Sequence, residues 1–208
     1  MIASQVARML LEVQAVRLRP DEPFTWSSGW KSPIYCDNRI TLSYPSVRTF
    51  IRKNLAETIR QTFPGVEAVA GVATAGIAQG VLVAEELALP FLYVRPEPKK
   101  HGMGNQIEGR LEAGRKVVVI EDLISTGGSS LKVVDVLRQN GAEVLGMAAI
   151  FTYGFPLADQ NFSEKEVKLV CLSNYETLVE EARQLDYIPD EALASLAAWR
   201  RNPAEWNT

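Results

Sequence analysis

The chain has little with which to build a disulfide framework or hold a metal. Among its 208 residues are two cysteines, Cys36 and Cys171, far apart and without ligand spacing, and a single histidine, His101. Isolated cysteines in apolar or β-like sequence are ordinarily reduced core thiols. No apolar run approaches the length of a membrane span, and the N-terminus lacks the apolar stretch of a secretory leader. The formal net charge is only −3, which gives no global field for nucleic acid or an acidic membrane. Repeats and low-complexity tracts are absent too. What is present is ordinary for a folded globular chain, 47% hydrophobic and 23% charged, and long enough for one well-buried domain. The expectation is one cytoplasmic domain over residues 1–208, with neither nucleic acid nor membrane as partner.

Apolar spacing predicts an amphipathic helix over 2–16 and a second over 47–63, introduced by Pro45 and Ser46 and closed by Pro64 and Gly65. Between them, residues 18–46 are dense in turn formers and aromatics, which suits short strands and hairpins. From Val66 onward strands and helices alternate. Strands are expected at 66–72, 91–95, 116–122, 143–153 and 168–174, with helices at 76–89 and 126–140 and more helix from Tyr175 onward. Continuous apolar strands separated by helices predict an α/β fold, a mostly parallel doubly wound sheet with helices on both faces. Ligands bind beyond the carboxyl ends of such strands, so the loops after Val72, Arg95 and Asp122 form the candidate site.

The stretch VVVIEDLISTGGSS, residues 117–130, sets two acids before a loop built for an anion. A helix start exposes unpaired amides and a dipole that favours negative charge. Ser125, Thr126 and Ser129 add hydroxyl donors, and Gly127 and Gly128 allow close backbone approach. Neither GxxxxGK[ST] nor a GxGxxG following a strand occurs, so this is not a nucleoside-triphosphate or dinucleotide loop. A sugar phosphate reconciles acids with cradle. Glu121 and Asp122 accept from two ribose hydroxyls, the loop grips the phosphate, and a magnesium ion on the ligand makes the acids welcome. The plainer alternative is a strand-to-helix turn whose Ser and Thr merely cap the helix; the double acid followed by two hydroxyl residues and two glycines weighs against it.

The second constellation is YVRPEPKKHGMGNQIEG. It follows a strand, is too long for a simple connection, and gathers Arg95, Lys99, Lys100 and His101 among prolines and glycines. A solvated basic loop accounts for any one lysine, but less well for the only histidine. Gly102, Gly104 and Gly109 give a lid its freedom.

EDLISTGGS resembles the phosphoribosyl-pyrophosphate signature of the type I phosphoribosyltransferases, which a few non-catalytic regulators also carry. The pattern R-x-x-x-K-x-H-G-x-G-N-Q-I-E-G, from Arg95 to Gly109, resembles the catalytic loop of the orotate phosphoribosyltransferase family. FTWSSGWKSPIYCDNR, residues 24–39, is similar to that family's N-terminal hood. The resemblance runs from about Phe24 to about Ala182. It implies the type I phosphoribosyltransferase fold with a small hood (18–46) over a core sheet (66–175). It also implies transfer of the 5-phosphoribosyl group from phosphoribosyl pyrophosphate to orotate, giving orotidine 5′-monophosphate and pyrophosphate for pyrimidine (UMP) biosynthesis. Mg²⁺ would be bound mainly through the substrate, with no protein metal ligands. A homodimer is implied, with Arg95, Lys99 and His101 acting in the neighbouring subunit's site.

On this resemblance the catalytic residues are Lys99, His101, Glu121 and Asp122. The phosphoribosyl donor would be held by Arg95, Lys99, Lys100 and His101, by the run Glu121, Asp122, Leu123, Ile124, Ser125, Thr126, Gly127, Gly128 and Ser129, and by Thr74 and Ala75. Orotate would meet Ser125, Lys31, and backbone groups around Ile34 and Tyr35. Four departures stand out: Pro96, Ser27 and Ala75 replace lysines found in many or some members, and IFTYG (150–154) replaces a segment that carries arginine in some. Either Lys100 supplies the charge missing at Pro96 or that contact is absent. Trp199, in an amphipathic C-terminal stretch, reads as a packing residue.

In this chemistry an oxocarbenium-like centre develops on the ribose while pyrophosphate gains charge that cations stabilise selectively, and water must be excluded. Orotate is already an anion at its reacting nitrogen, so no strong general base is needed. The hood and the K-K-H-G loop argue against a purine-type transferase. A non-catalytic phosphoribosyl-pyrophosphate sensor should lack a competent lid or carry a basic DNA-binding face. A featureless nucleotide-binding α/β module is the weakest alternative.

Overall fold

The computed structural model describes residues 1–26, 29–97 and 105–206. Ser27, Lys99, Lys100 and His101 therefore lie outside the described residues. Helix α1 (Ile2–Glu12) buries Val6, Ala7, Leu10 and Leu11 along one face. It stops short of the expected residue 16 because Gln14 takes a left-handed backbone (φ 56°), which turns Val16 into strand β1 (Val16–Leu18). Strands β2 (Phe24–Thr25), β3 (Lys31–Ser32) and β4 (Ile34–Cys36) complete a hood of two small antiparallel pairs, β1 with β4 and β2 with β3. A 3-10 segment (Asn38–Ser43) leads into α2 (Pro45–Thr62), where Pro45 starts the helix and Val47, Ile51, Leu55 and Ile59 form its buried stripe.

The core follows as β5 (Ala68–Val72), α3 (Ala75–Leu87), β6 (Phe91–Val94), β7 (Ile107–Glu108), β8 (Lys116–Ile124), α4 (Gly128–Gln139), β9 (Glu143–Thr152), α5 (Pro156–Glu164), β10 (Leu169–Asn174), α6 (Tyr175–Gln184) and α7 (Ala192–Arg201). Six of these strands form one sheet in the order β10-β9-β8-β5-β6-β7, parallel except for the hairpin partner β7. The connection read as one loop to Gly109 thus ends in a short edge strand, and β8 runs two residues beyond Asp122. Helix α5 was not anticipated. Only Ala158 and Phe162 of it are buried, too thin a stripe for periodicity to register.

Side-chain alternation splits the sheet between two cores. Val118, Ile120, Ala148 and Ile150 face α1, α2, α3, α6 and α7, whereas Val117, Val119, Met147 and Ala149 face α4 and α5. Each valine, isoleucine or methionine among them, fully removed from water, stabilises by about 1.5–3 kcal/mol. From β5 the chain crosses by α3 to β6; from β8 it crosses by α4, on the opposite face, to β9. The connections diverge at the β5/β8 boundary and open a crevice beyond those strand ends. The crevice is tight at its base: a Cβ on Gly76 would lie 2.4 Å from the Ile120 carbonyl oxygen, so α3 begins hard against β8.

Candidate active site

Two helix N-termini flank the crevice, α3 after Thr74 and α4 after Gly127, and neither has a side-chain cap. The alternative that Ser and Thr near residue 126 simply cap α4 is therefore not what is built. The helix begins at Gly128, two residues later than expected, and Gly128 and Ser129 stay exposed. Gly127 turns the chain into α4 in a left-handed conformation (φ 78°), and a Cβ there would lie 2.5 Å from the Phe162 ring. Asn161 Nδ2 donates to the Thr126 carbonyl (2.8 Å). The loop is thus held from below by the helix that sequence reading missed, with its unpaired amides turned outward.

Glu121 and Asp122 lie in β8, three and two residues before its end at Ile124. Glu121 is buried, and both its oxygens are engaged: Oε1 accepts from the Asp122 amide (2.9 Å) and Oε2 from Ser130 Oγ (2.9 Å). Burial, with the neighbouring Asp122 charge second, pushes Glu121 up to about 8. Burial raises Asp122 as well, opposed by its bond to Glu121 and by the Arg39 guanidinium. Burial thus holds both acids above the usual carboxylate range, and the ligand-free pair favours sharing a proton. Asn38 fixes the pair from the hood side, its Nδ2 donating to the Asp122 carbonyl (2.7 Å).

The run from 121 to 129 borders two cavities. One, of about 550 Å³, is lined by Trp26, Trp30, Tyr35, Cys36, Leu123, Ser125, Thr126 and Tyr153. Four of its lining residues are aromatic; the Trp26 ring lies 5.3 Å from that of Tyr153, and the indole Nε1 of Trp26 donates to the Ile34 carbonyl (3.2 Å). Burial raises the Cys36 thiol and the Tyr153 phenol, so both are neutral there. The other, of about 360 Å³, is the more polar of the two, with Thr74, Arg95, Glu97, Gln106, Glu121, Ser129 and Lys132 in its wall among Val72, Ala75, Val94, Val133 and Val136. An aromatic slot and a polar basin on either side of an acid pair and an anion cradle suit a planar ring joined to a sugar phosphate.

Of the anticipated residues, Glu121, Ser129, Thr74, Ala75 and Arg95 meet at the polar basin, and Ser125, Thr126, Leu123 and Tyr35 at the aromatic slot. Arg95 is steered by Glu108 of β7 (3.7 Å) and by its amide bond to the Gln106 carbonyl (2.9 Å). Ile124 is fully buried in the sheet. Asp122, Gly127 and Gly128 line neither cavity, and Ile34 and Lys31 are turned away from both. Ile34 points into the core, its amide donates to Ser32 Oγ, and its carbonyl already serves Trp26 and Ser32. Lys31 is exposed, with Nζ donating to Thr25 Oγ1 (2.9 Å) across the hood hairpin. Sequence reading missed Lys132, three residues after Ser129 and so on the same face of α4, and Trp26, Trp30 and Tyr153 in the slot. The lysine's spacing was a usable signal; the aromatics come from distant segments and gave none.

The phosphoribosyl transferase domain model matches residues 43–183, so fold and cradle together define a phosphoribosyl transferase. The orotate phosphoribosyltransferase of Cytophaga hutchinsonii is 55% identical over 202 residues, 97% of each chain. That of Listeria monocytogenes serotype 4b is 57% identical over 205 residues, 99% of this chain and 98% of its own. The crystal structure of the Aeropyrum pernix orotate phosphoribosyltransferase superposes with a TM-score of 0.76 at 34% identity, covering 88% of this chain and 99% of that one. The chain belongs to the orotate phosphoribosyltransferase family, the type I pentosyltransferases of pyrimidine biosynthesis. No described helix is long and apolar enough to cross a membrane.

Proposed function

We propose that this chain transfers the phosphoribosyl group of phosphoribosyl pyrophosphate to orotate with the aromatic slot holding the base and the polar basin the pyrophosphate. The carrying observation is that one run, 121–129, borders both cavities, so a ring and a diphosphate are held on opposite sides of one ribose. Gly127, Gly128 and Ser129 amides with the Thr126 and Ser129 hydroxyls grip the 5′-phosphate. Asp122 and Glu121 take the ribose diol, Glu121 giving up its proton as the ligand enters. Tyr35 and Ser125 face the base. Thr74 and Ala75 present the start of α3 to the leaving pyrophosphate, joined by Arg95 and Lys132. Residues 18–46 act as a hood over the core sheet within one catalytic unit, working in the cytoplasm with both thiols reduced.

Hard carboxylate oxygens are the donors magnesium prefers, and the strained acid pair gains from a divalent cation. Mg²⁺ would be held mainly by substrate oxygens and water, with the Glu121 and Asp122 charges beside it rather than as dedicated ligands, and it would offset charge on the diphosphate. The chain's own residues do the rest. The slot orients the acceptor nitrogen toward the anomeric carbon, as proximity requires. Cations around the basin stabilise charge that appears on pyrophosphate as the bond breaks. Lys99, Lys100 and His101 complete that basin by resemblance, acting from the partner subunit of a homodimer and closing the site to water.

Loss of orotate absorbance, followed with phosphoribosyl pyrophosphate and Mg²⁺ present, tests the reading, with uracil, adenine and hypoxanthine run in parallel. Turnover of orotate alone is expected; preference for a purine would overturn it. Action in trans is tested by mixing inactive Lys99→Ala and Asp122→Asn chains. Recovery of about a quarter of wild-type activity per site is expected from random pairing with independent sites, and no recovery would show the loop serves its own subunit.

A further inference from the structure

Helix α7 lies beyond the segment that resembles the family's motifs, yet it reaches the wall of the aromatic slot. Resting on the reading of that slot as the base site, we propose that Arg200 is a positioning residue for the acceptor base. Its guanidinium clamps the turn that presents Tyr153.

Tyr153 stands one residue past the end of β9. Its amide donates to the Ile124 carbonyl (3.1 Å), and the next amide, Gly154, to Thr152 Oγ1 (3.0 Å). The two carbonyls of the same turn are taken by Arg200: Nε donates to Tyr153 O (3.3 Å) and Nη2 to Gly154 O (3.1 Å). The third edge, Nη1, pairs with the Glu176 carboxylate on α6 at 3.0 Å. A planar fork on two successive carbonyls fixes the rotation of the peptide between them, which a point charge on a flexible stem does not. Gly154 sits in the left-handed region (φ 65°), and a Cβ there would lie 3.1 Å from Nη2, so the turn and the fork fit one another closely.

What the clamp fixes is the backbone that carries the Tyr153 ring, which itself packs against Trp26, Phe151, Phe155 and Trp199. That ring packs on Trp26 at 5.3 Å, and both line the slot. Behind them the buried Trp199, the neighbour of Arg200 in sequence, lies edge-on to both rings at 5.7 Å and within 5.4 Å of Phe155. The slot wall at Tyr153 is aromatic, and its backbone is held by a residue 47 positions away.

The test is steady-state kinetics on the full-length protein, varying orotate and phosphoribosyl pyrophosphate separately, with Tm read for every variant. Arg200→Ala should raise the KM for orotate about tenfold, the scale of losing charge-assisted bonds, with the KM for the donor and kcat within about twofold. Arg200→Lys, which reaches one carbonyl, should restore roughly half of that loss on a logarithmic scale. Equal rises in both KM values, or a lower Tm with both KM values unchanged, would overturn the proposal. Tyr153→Ala separates it from the reading beneath. If Tyr153→Ala raises the orotate KM and Arg200→Ala does not, the clamp fails and the base site stands; if neither does, the slot is not the base site.

Discussion

Replacing Glu121 by glutamine should make the ligand-free protein more stable and the enzyme worse. Glu121 is buried beside a second acid, and its carboxyl is lifted from 4.5 to about 8. Between those values the folded chain binds more protons than the unfolded one. Stability therefore falls as pH rises through that window; what the carboxyl contributes is fully present below 4.5 and lost by the time pH passes 8. Taken at face value the displacement is worth about 5 kcal/mol. Relaxation and water entry on ionisation, and the sharing of charge with Asp122, reduce the expected gain to about 1–3 kcal/mol. Glutamine keeps an acceptor for the Asp122 amide, and Ser130 can reverse its hydroxyl to accept from the new amide, so no buried group is orphaned. Urea unfolding of the two proteins at pH 6 and pH 8.5 reads the effect. The variant should be the more stable by about 1–3 kcal/mol at pH 8.5, with the gap narrowing at pH 6. Parallel pH profiles would show that Glu121 is ionised in the free protein, and the account of a proton-holding acid pair would be wrong.

Three further outcomes are expected. Gly127→Ala should lose about 1–2 kcal/mol from the left-handed backbone alone, and more from the encounter with Phe162, raising the KM for phosphoribosyl pyrophosphate as the cradle shifts; unchanged Tm and KM would mean the loop adapts freely. Lys132→Ala should raise the KM for phosphoribosyl pyrophosphate, and for pyrophosphate in the reverse reaction, by about 3–10-fold, as loss of one partly exposed charge contact implies. An effect on orotate instead would place this lysine on the wrong cavity. Lys99→Ala should depress kcat far more than it weakens donor binding, and equal losses would make it a ground-state contact only.

Much of this could be read before folding, because the parallel-sheet pattern and the 121–129 motif are local. Apolar runs separated by helical stretches gave β5, β6, β8, β9 and β10 within a residue or two, and the acid pair with its glycine loop marked the crevice. Alternation on β4 would also have separated Ile34 from Tyr35, since successive strand residues face opposite ways. The aromatic slot was hidden for a physical reason. Trp26, Tyr35, Ser125 and Tyr153 belong to four segments that only the tertiary fold brings together. The raised pKa of Glu121 was equally invisible, since it follows first from burial that only the fold creates, against the opposing hydrogen bond from Ser130.

The claim on which these expectations rest is that a single ribose bridges the two cavities along residues 121–129. A crystal structure of the chain soaked with orotidine 5′-monophosphate tests it most directly. The phosphate should lie on the amides of residues 127–129, the diol at Asp122 and Glu121, and the pyrimidine between Tyr35 and Tyr153. A nucleotide seated with its phosphate elsewhere, or with Glu121 still turned to Ser130 and away from the sugar, would contradict the account.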